Sequence, residues 1–247
     1  MKVVVIGGTG LIGSKLINRL GEHGHEAVPA APSTGVNTLT GQGLPEVLEG
    51  ATVVVDVSNS PSFDDAPVME FFRTSTTNLL EHSAKAGVGH YVALSVVGTD
   101  RLSDSGYFRA KIAQEKLIRE SGQAYSIVQA TQFFEFVKAI ADFSTVEGKV
   151  HLPSALIQPM GSEDVAAAVG RVAVGQPLNG IREIGGPERF GLDELVRQGL
   201  TATGDPRAVV ADEQALYYGV RLSARTLLPG PDAQLGEITF DKWLAQS

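Results

Sequence analysis

The sequence predicts an α/β fold in which helices cover both faces of a doubly wound parallel sheet. Two observations support this: short apolar runs end in polar residues, and segments with helical periodicity separate these runs. Such alternation is typical of βαβ units. The 247 residues suffice for one sizeable core, and we find no linker or internal repeat. We therefore expect a single domain over residues 1–247, in which residues 131–247 contribute a smaller, substrate-binding lobe.

The elements of the first half follow from these runs in order. We expect strands over residues 2–6, 25–30, 52–56, 90–95 and 124–129, with helices near 11–22, 67–87 and 105–121. Gly24, Gly87 and Gly122 each stand where a helix should end before the next strand. After residue 130 extended segments precede helices, and the periodicity weakens beyond residue 205. Ligands of such sheets bind at the carboxyl ends of the strands.

The composition of the chain argues against several classes of protein, among them membrane-spanning and nucleic-acid-binding proteins. The chain is 43% hydrophobic and 19% charged, which is typical of a soluble globular protein, and no apolar run is long enough to span a membrane. A net charge of −8 without a basic stripe argues against nucleic-acid binding. With no cysteine and no metal-ligand spacing among the histidines, we predict no metal site. The N-terminal apolar run is too short for a secretory signal, so we expect a cytoplasmic protein, either a monomer or a homodimer.

The segment VVVIGGTGLIG, residues 3–13, places three glycines between the first strand and the first helix. A backbone that must turn tightly and approach a pyrophosphate requires glycine, and the N–H groups at the start of a helix attract anions. This context is that of a dinucleotide-binding Rossmann fold. A glycine-rich turn without a ligand is the alternative. We expect contacts with the dinucleotide from Gly7, Thr9, Gly10, Leu11, Ile12 and Gly13.

The second and third strands indicate which dinucleotide binds. No acidic residue ends the second strand to hold the ribose hydroxyls of NAD, so NADP is favoured over NAD. Ser33 and Thr34 could donate to a 2′-phosphate, or be plain loop residues, and no arginine is near to pair with it. At the end of the third strand Asp56, Val57, Ser58 and Asn59 should flank the adenine and its ribose, although Asp56 could instead cap a loop.

Candidate catalytic residues follow the fourth strand. Ser95 closes that strand, and Tyr107 and Lys111 lie four residues apart on the next predicted helix, hence on one face. A nearby ammonium should lower the pKa of the phenol, which is near 10 for free tyrosine. A serine hydroxyl can hold a carbonyl oxygen where the phenol reaches it, while a nicotinamide delivers hydride. Separately, each residue could be an ordinary structural or surface residue.

The chain resembles the short-chain dehydrogenase/reductase superfamily, of the extended or atypical type, close to its NmrA-like and NAD(P)H-quinone-reductase-like branch. The motifs are GGTGLIG at 7–13, DVSNS at 56–60, LLEHSAKAGVGHYVALSVVG at 79–98, YFRAK at 107–111 and EDVAAAV at 163–169. The resemblance implies that Ser95 polarises the substrate carbonyl and that Tyr107 donates the proton. Lys111 would tune Tyr107 and hold the nicotinamide ribose, with Asn78 as a possible fourth member.

One departure from the family concerns the strand after the catalytic helix. Many relatives end it in Arg-Pro, whereas this chain has Gln129 and Ala130, where the nicotinamide carboxamide would pass. We expect Ala130 to contact the cofactor.

Beyond that strand, Val97, Phe133 and Phe134 are expected to form an apolar substrate pocket. The spacing of these phenylalanines with Phe136 is equally that of a buried helix.

The leading hypothesis is an NAD(P)H-dependent oxidoreductase that reduces a small ketone, aldehyde or quinone, with Tyr107 as proton donor. The first alternative is an NmrA-like NADP(H)-sensing regulatory protein without turnover. The second is an epimerase or isomerase that retains its cofactor through the cycle.

Overall fold

The computed structural model describes residues 1–246 and contains helices and strands in alternation. The strands are β1 Lys2–Ile6, β2 Glu26–Ala30, β3 Val53–Asp56, β4 His90–Val96, β5 Tyr125–Ala130, β6 Thr145–Val146, β7 Lys149–Leu152, β8 Leu156–Ile157, β9 Gly180–Gly185, β10 Phe190–Gly191, β11 Val209–Ala211 and β12 Gln234–Leu235. The α-helices are α1 Leu11–Glu22, α2 Leu44–Leu48, α3 Asp65–Ala86, α4 Gly106–Glu120, α5 Val137–Phe143, α6 Ser162–Val174, α7 Leu192–Ala202 and α8 Phe240–Leu244. Short 3₁₀ helices span Pro32–Thr34, Thr99–Arg101 and Phe134–Phe136.

The main sheet has seven parallel strands in the order β12-β9-β5-β4-β3-β1-β2. The doubly wound Rossmann-type sheet predicted from the sequence is confirmed, and the five predicted strands agree with β1 to β5 to within one residue at each end. The strand order reverses beside β1, because β2 lies on one side of it and β3 on the other. Ligands of open α/β sheets bind at this switch point, beyond the carboxyl ends of the strands.

Helices cover both faces of the sheet because alternate strand residues point in opposite directions. Val3 and Val5 of β1 pack in a core cluster with residues of α1 and α6, whereas Val4 and Ile6 join a second cluster with residues of α2, α3 and α4. All four side chains are essentially inaccessible. The continuous apolar run at the N-terminus is therefore a strand buried on both faces, as the sequence predicts.

The segment after residue 130 is divided between the main sheet and a separate cluster. Strands β9 and β12 extend the main sheet, and α6 packs against α1. The remaining part contains the small sheets β11-β7-β6 and β10-β8 and the helices α5 and α7 around a third apolar cluster. This second group of elements lies beyond the carboxyl end of β5, and it supplies side chains to the cavity described below.

No helix among residues 1–246 combines the length and apolarity needed to cross a bilayer. Within the same residues no group of three or more histidine, aspartate or glutamate side chains is arranged to hold a metal ion.

Gly13 allows α1 to pack against the start of its own turn, and this contact gives a test of the fold. A Cβ added at Gly13 would overlap the carbonyl oxygen of Gly7 and come within 2.7 Å of Gly8 Cα, both rigid backbone atoms. We expect Gly13→Ala to lower the free energy of unfolding by about 3 kcal/mol in urea titrations.

Gly21 provides the matched control because it lies in the same helix. A Cβ added at Gly21 has no neighbouring atom within 4 Å. Gly21→Ala should therefore leave stability unchanged or raise it by about 0.5–1 kcal/mol. Equal effects of the two substitutions would contradict the packing argument.

Candidate functional site

The turn between β1 and α1 brings backbone atoms to the edge of the sheet. Gly7 has φ +78°, and a Cβ there would lie 3.0 Å from the backbone N and Cα of Ser58. Gly10 is the N-cap of α1 and has no side-chain cap. A Cβ added at Gly10 would meet only the Gly7 carbonyl oxygen, at 3.3 Å, so the other side of Gly10 is free for a ligand. No acidic residue occupies the first turn of α1.

These glycines border a cavity of about 1010 Å³ that runs along the carboxyl ends of the central strands. It passes the ends of β2 and β3, crosses β4 and β5, and ends against α4, α5 and the loop before residue 220. Of the residues predicted from the sequence, it is lined by Gly7, Thr9, Gly10, Leu11, Ile12, Val57, Ser58, Asn59, Ser95, Tyr107, Lys111, Ala130 and Phe133. Among its described lining residues, Lys111 is the one side chain that carries a full charge at neutral pH.

The cavity fits a dinucleotide in two respects. The first-turn N–H groups of α1 have no partners within the helix and can bind a pyrophosphate. At the far end of β5, Thr131 Oγ1 and Gln132 Oε1 are buried without hydrogen-bond partners in the described structure, and both residues line the cavity beside Ala130. A hydroxyl and an amide oxygen together can satisfy the donors and acceptors of a carboxamide. The residues present therefore suit a nicotinamide dinucleotide.

Gly13 does not line this cavity, which corrects the prediction that it contacts the ligand. Its role is to let α1 approach the backbone of Gly7 and Gly8. Gly8, which the sequence analysis did not single out, is equally constrained, because a Cβ there would lie 2.7 Å from Pro29 Cα. Gly10 thus leaves room for a ligand, whereas Gly7, Gly8 and Gly13 allow backbone segments to pack closely.

Ser33 and Thr34 also lie outside the cavity lining, so the predicted hydrogen bonds from them to a 2′-phosphate are not supported. The Thr34 hydroxyl lies 2.9 Å from Ala31 N, 3.0 Å from Ala31 O and 3.3 Å from Pro29 O. It closes the 3₁₀ turn after β2. The residues that line the cavity here are instead Ala30, Ala31, Pro32 and the stretch Val36–Leu39.

Asp56 is another correction, because its carboxylate is directed into the protein. Oδ1 accepts from Ser58 N at 3.0 Å and Ser58 Oγ at 2.6 Å. Oδ2 accepts from Gln114 Nε2 at 3.1 Å and Tyr91 Oη at 3.4 Å. Asp56 is 1% exposed and does not line the cavity. It positions the β3 loop, including Ser58, rather than the adenine.

Of the predicted substrate residues, only Phe133 lines the cavity. Val97 is fully buried, and Phe134 is fully buried against Phe240 and Trp243 in the third apolar cluster. The reason is the 3₁₀ helix at Phe134–Phe136, in which residues three apart share a face. Phe136 therefore replaces Phe134 in the cavity wall, and it stacks on Phe133 with ring centroids 5.5 Å apart.

Tyr107 is half-buried and surrounded by aromatic rings. Its ring centroid lies 5.4 Å from those of Phe63 and Phe108 and 6.0 Å from that of Phe72. Burial raises the pKa of its phenol above the ordinary value of 10. This corrects the expectation that Lys111 makes the phenol more acidic.

The Lys111 ammonium is directed elsewhere, although it shares the helix face of Tyr107. Nζ donates to Leu94 O at 2.9 Å and to Gln114 Oε1, and it lies 4.5 Å from the centroid of the Phe72 ring. Burial lowers the pKa of Lys111 to about 8, against the opposing effect of Asp56 and Glu115. The side chain is 2% exposed. The predicted pair is thus a protonated phenol and a buried ammonium that is directed to other partners.

Ser95 lines the cavity, but its hydroxyl donates to Glu115 Oε1 at 2.5 Å. The same oxygen accepts from Gln129 Nε2 at 2.8 Å, and Gln129 also lies 3.3 Å from Thr99 Oγ1. A serine has one hydroxyl proton, so in this arrangement Ser95 can accept but cannot donate a hydrogen bond on its cavity side. The expectation that it donates to a substrate carbonyl is therefore not supported.

Asn78 does not join the catalytic residues. Its side-chain amide donates to the backbone oxygens of Thr38 at 2.8 Å and Leu39 at 3.1 Å, and so anchors the loop after β2. Sequence reasoning also missed the aromatic side chains Phe63, Phe143, Tyr217 and Tyr218, which line the cavity from separate loops and helices. No local motif marks them, because they come together only through the tertiary fold.

No family model matches the chain. It is 24% identical over 149 residues to the photosystem II assembly factor Ycf39 of Synechocystis sp., a match that covers 55% of this chain and 46% of that protein. The chain thus spans about half the length of the Ycf39 relatives that it matches. It is also 24% identical over 256 residues to a 4-hydroxy-tetrahydrodipicolinate reductase of Natronomonas pharaonis, covering 99% of this chain and 95% of that enzyme.

Solved structures resemble the chain over nearly its whole length. MoeE5 in complex with UDP-glucose and NAD has a TM-score of 0.75 at 19% identity, covering 99% of this chain and 96% of that chain. UDP-glucose 4-epimerase of Thermotoga maritima, with UDP-glucose, has a TM-score of 0.75 at 17% identity with the same coverage. A dTDP-4-dehydrorhamnose reductase of Clostridium acetobutylicum has a TM-score of 0.71 at 14% identity, covering 100% and 92%. These solved structures share with the chain a Rossmann-type α/β fold.

Proposed function

We propose that the protein is an NAD(P)H-dependent oxidoreductase that reduces a small ketone, aldehyde or quinone, with Tyr107 as the proton donor. The observation that supports this most is that Tyr107 and Lys111 line the same cavity as the glycine turn. A ligand bound at Gly10 along the strand ends would extend toward the phenol. The solved structures of the same fold that contain NAD support a nicotinamide cofactor.

The nicotinamide dinucleotide, when bound, supplies the hydride. In our proposal the N–H groups at the start of α1 hold its pyrophosphate, and Thr131 and Gln132 orient its carboxamide. We retain NADP over NAD because no carboxylate is among the described lining residues to repel a 2′-phosphate or to hold the ribose hydroxyls of NAD. Lys111 supplies the one positive charge among the described lining residues of the cavity.

The raised pKa of Tyr107 suits a proton donor. A phenol with a pKa above 10 is protonated at neutral pH, so it can give its proton to the carbonyl oxygen as negative charge develops there. The resulting phenolate is neutralised by a proton from solvent. Because little phenolate is present at neutral pH, Tyr107 starts in the protonation state that the reductive direction requires.

The chemistry of the cavity wall favours an uncharged carbonyl substrate. Its far end is formed by Phe133, Phe136, Ile140, Phe143 and Tyr218. The sugar nucleotides bound in the solved relatives carry a diphosphate, whereas no arginine lines the described cavity. We therefore propose a small aromatic ketone, aldehyde or quinone as partner. The acidic chain without a basic stripe supports no nucleic-acid partner.

Substitution of Tyr107 by phenylalanine tests the proposal. Tyr107→Phe removes the donated proton and keeps the ring, so we expect kcat for NADPH-dependent reduction of a carbonyl and quinone panel to fall by about 100-fold or more. The Kd for NADPH should not change. Tyr125→Phe, at the start of β5 and outside the cavity lining, is the matched control and should retain full activity.

Three other outcomes would overturn the proposal. Unchanged turnover in Tyr107→Phe would remove Tyr107 from the chemistry. Binding of NADP⁺ and NADPH with different affinities, but without turnover of any substrate, would indicate the NADP(H)-sensing regulatory protein. A nucleotide that copurifies and is not consumed would indicate the cofactor-retaining epimerase or isomerase.

The pKa of Lys111 gives a pH dependence to cofactor binding. The amine is charged below about pH 8 and neutral above it, so attraction to an anionic dinucleotide is present at low pH and lost as pH rises through that value. We expect the Kd for NADPH, followed by its fluorescence, to increase by about tenfold between pH 7 and 9.5.

Two lysine variants separate this effect from general titration. Lys111→Met replaces the amine by an uncharged side chain of similar length. This variant should bind NADPH weakly, and its Kd should depend little on pH. Lys116→Met, an exposed position on the same helix, should retain the wild-type profile. An identical pH profile in Lys111→Met and the wild type would contradict a role for Lys111 in binding.

A further inference from the structure

A strained turn of the C-terminal segment lies at the cavity. Tyr217 N donates to Val220 O at 2.9 Å, and Val220 N donates to Tyr217 O at 3.0 Å, so Tyr218 and Gly219 form a two-residue loop. Both loop residues have positive φ, +46° for Tyr218 and +82° for Gly219. Such turns normally have asparagine, aspartate or glycine first, and a bulky residue there is an outlier.

A second turn of the same kind, which contains no tyrosine, shows that this backbone conformation does not require one. Glu147 and Gly148 connect β6 and β7, with φ +48° and +77°. Glu147 is exposed and does not line the cavity. Tyr218, in contrast, is 37% exposed and lines the cavity wall. Strained residues cluster at functional sites, where the surrounding structure maintains them.

The Tyr218 ring belongs to one of two pairs of packed aromatic rings that line the cavity. It packs on Phe143 with centroids 4.6 Å apart, and Tyr217 meets it edge-on at 4.8 Å. Phe143 lies at the end of α5, on the helix face that also places Ile140 and Phe136 in the cavity wall. Phe133 stacks on Phe136 in the other pair. We call Phe133, Phe136, Phe143 and Tyr218 the aromatic row.

Three rings of this row remain partly exposed in spite of their packing on one another. Phe136 is 44% exposed and Phe143 is 60% exposed, although both belong to a cavity rather than to the general surface. Exposed aromatic rings in a concave wall are suited to stacking on a flat ligand. A small aliphatic carbonyl would leave most of this surface in contact with water.

We propose that the aromatic row binds a planar aromatic substrate of at least two fused rings, and that Tyr218 is the residue that determines this specificity. The inference rests on the proposed function for the identity of the cavity as a substrate site. The strain at Tyr218 places the phenol ring in the aromatic row, where an unstrained turn residue such as glycine or asparagine would present no aromatic face.

Tyr218→Gly is an informative variant because it removes the ring and favours the turn at the same time. Glycine adopts positive φ readily, which offsets the loss of the ring contacts with Phe143 and Tyr217, so the variant should fold with a Tm within roughly 2–4 °C of the wild type. Glu147→Gly relieves the same backbone conformation at an exposed residue outside the cavity lining and serves as the matched control.

The experiment measures equilibrium binding of 1,4-naphthoquinone, and of acetone as a small aliphatic carbonyl, to the NADP⁺-saturated protein by calorimetry. We expect Tyr218→Gly to weaken naphthoquinone binding by roughly tenfold, with no change for acetone. Glu147→Gly should bind both as the wild type does. KM for naphthoquinone should rise in Tyr218→Gly alone, while kcat and the Kd for NADPH stay constant.

The outcomes separate this inference from the proposed function. Naphthoquinone binding that Tyr218→Gly does not weaken overturns the inference, even if the wild type reduces carbonyls. Weakened binding in a protein that reduces no substrate supports the aromatic row and contradicts the proposed function. Failure of the wild type to bind naphthoquinone overturns the inference as well.

Discussion

The close approach of three backbone segments at the end of β1 determines the geometry of the whole site. Gly7 turns with a positive φ beside Ser58, Gly8 lies against Pro29, and Gly13 brings α1 onto the turn. None of these contacts has room for a side chain. As a result the start of α1 faces the strand ends without an intervening side chain, and the cavity that begins at Gly10 can continue to α4.

The electrostatics of the site depend on burial more than on pairing of charges. Aromatic rings around Tyr107 raise the pKa of its phenol, and burial lowers the pKa of Lys111. The ammonium interacts with a carbonyl, an amide and the face of Phe72 rather than with the phenol. The Ser95 hydroxyl likewise donates its hydrogen bond to the buried carboxylate of Glu115. Burial thus keeps the Tyr107 phenol protonated at neutral pH, as the proposed reduction requires.

The sequence predicts the frame of this molecule well because local signals define it. Continuous apolar runs specify β1 to β5, and the glycines and the Tyr107–Lys111 spacing mark residues that meet in one cavity. What the sequence does not predict are side-chain directions. Asp56 turns inward at a strand end, and the 3₁₀ helix exchanges Phe134 for Phe136. Tyr218 belongs to the cavity through contacts between distant segments, so no local pattern could identify it.

Transfer of an isotopic label tests the central claim most directly. The protein is incubated with an aryl ketone and NADPH that carries deuterium at one or the other C4 position, and the alcohol product is analysed by mass spectrometry. If the glycine turn and Tyr107 form one reductase site, deuterium from one of the two labelled cofactors appears on the carbinol carbon. Absence of labelled alcohol with both cofactors, for ketones that bind to the protein, would contradict the account.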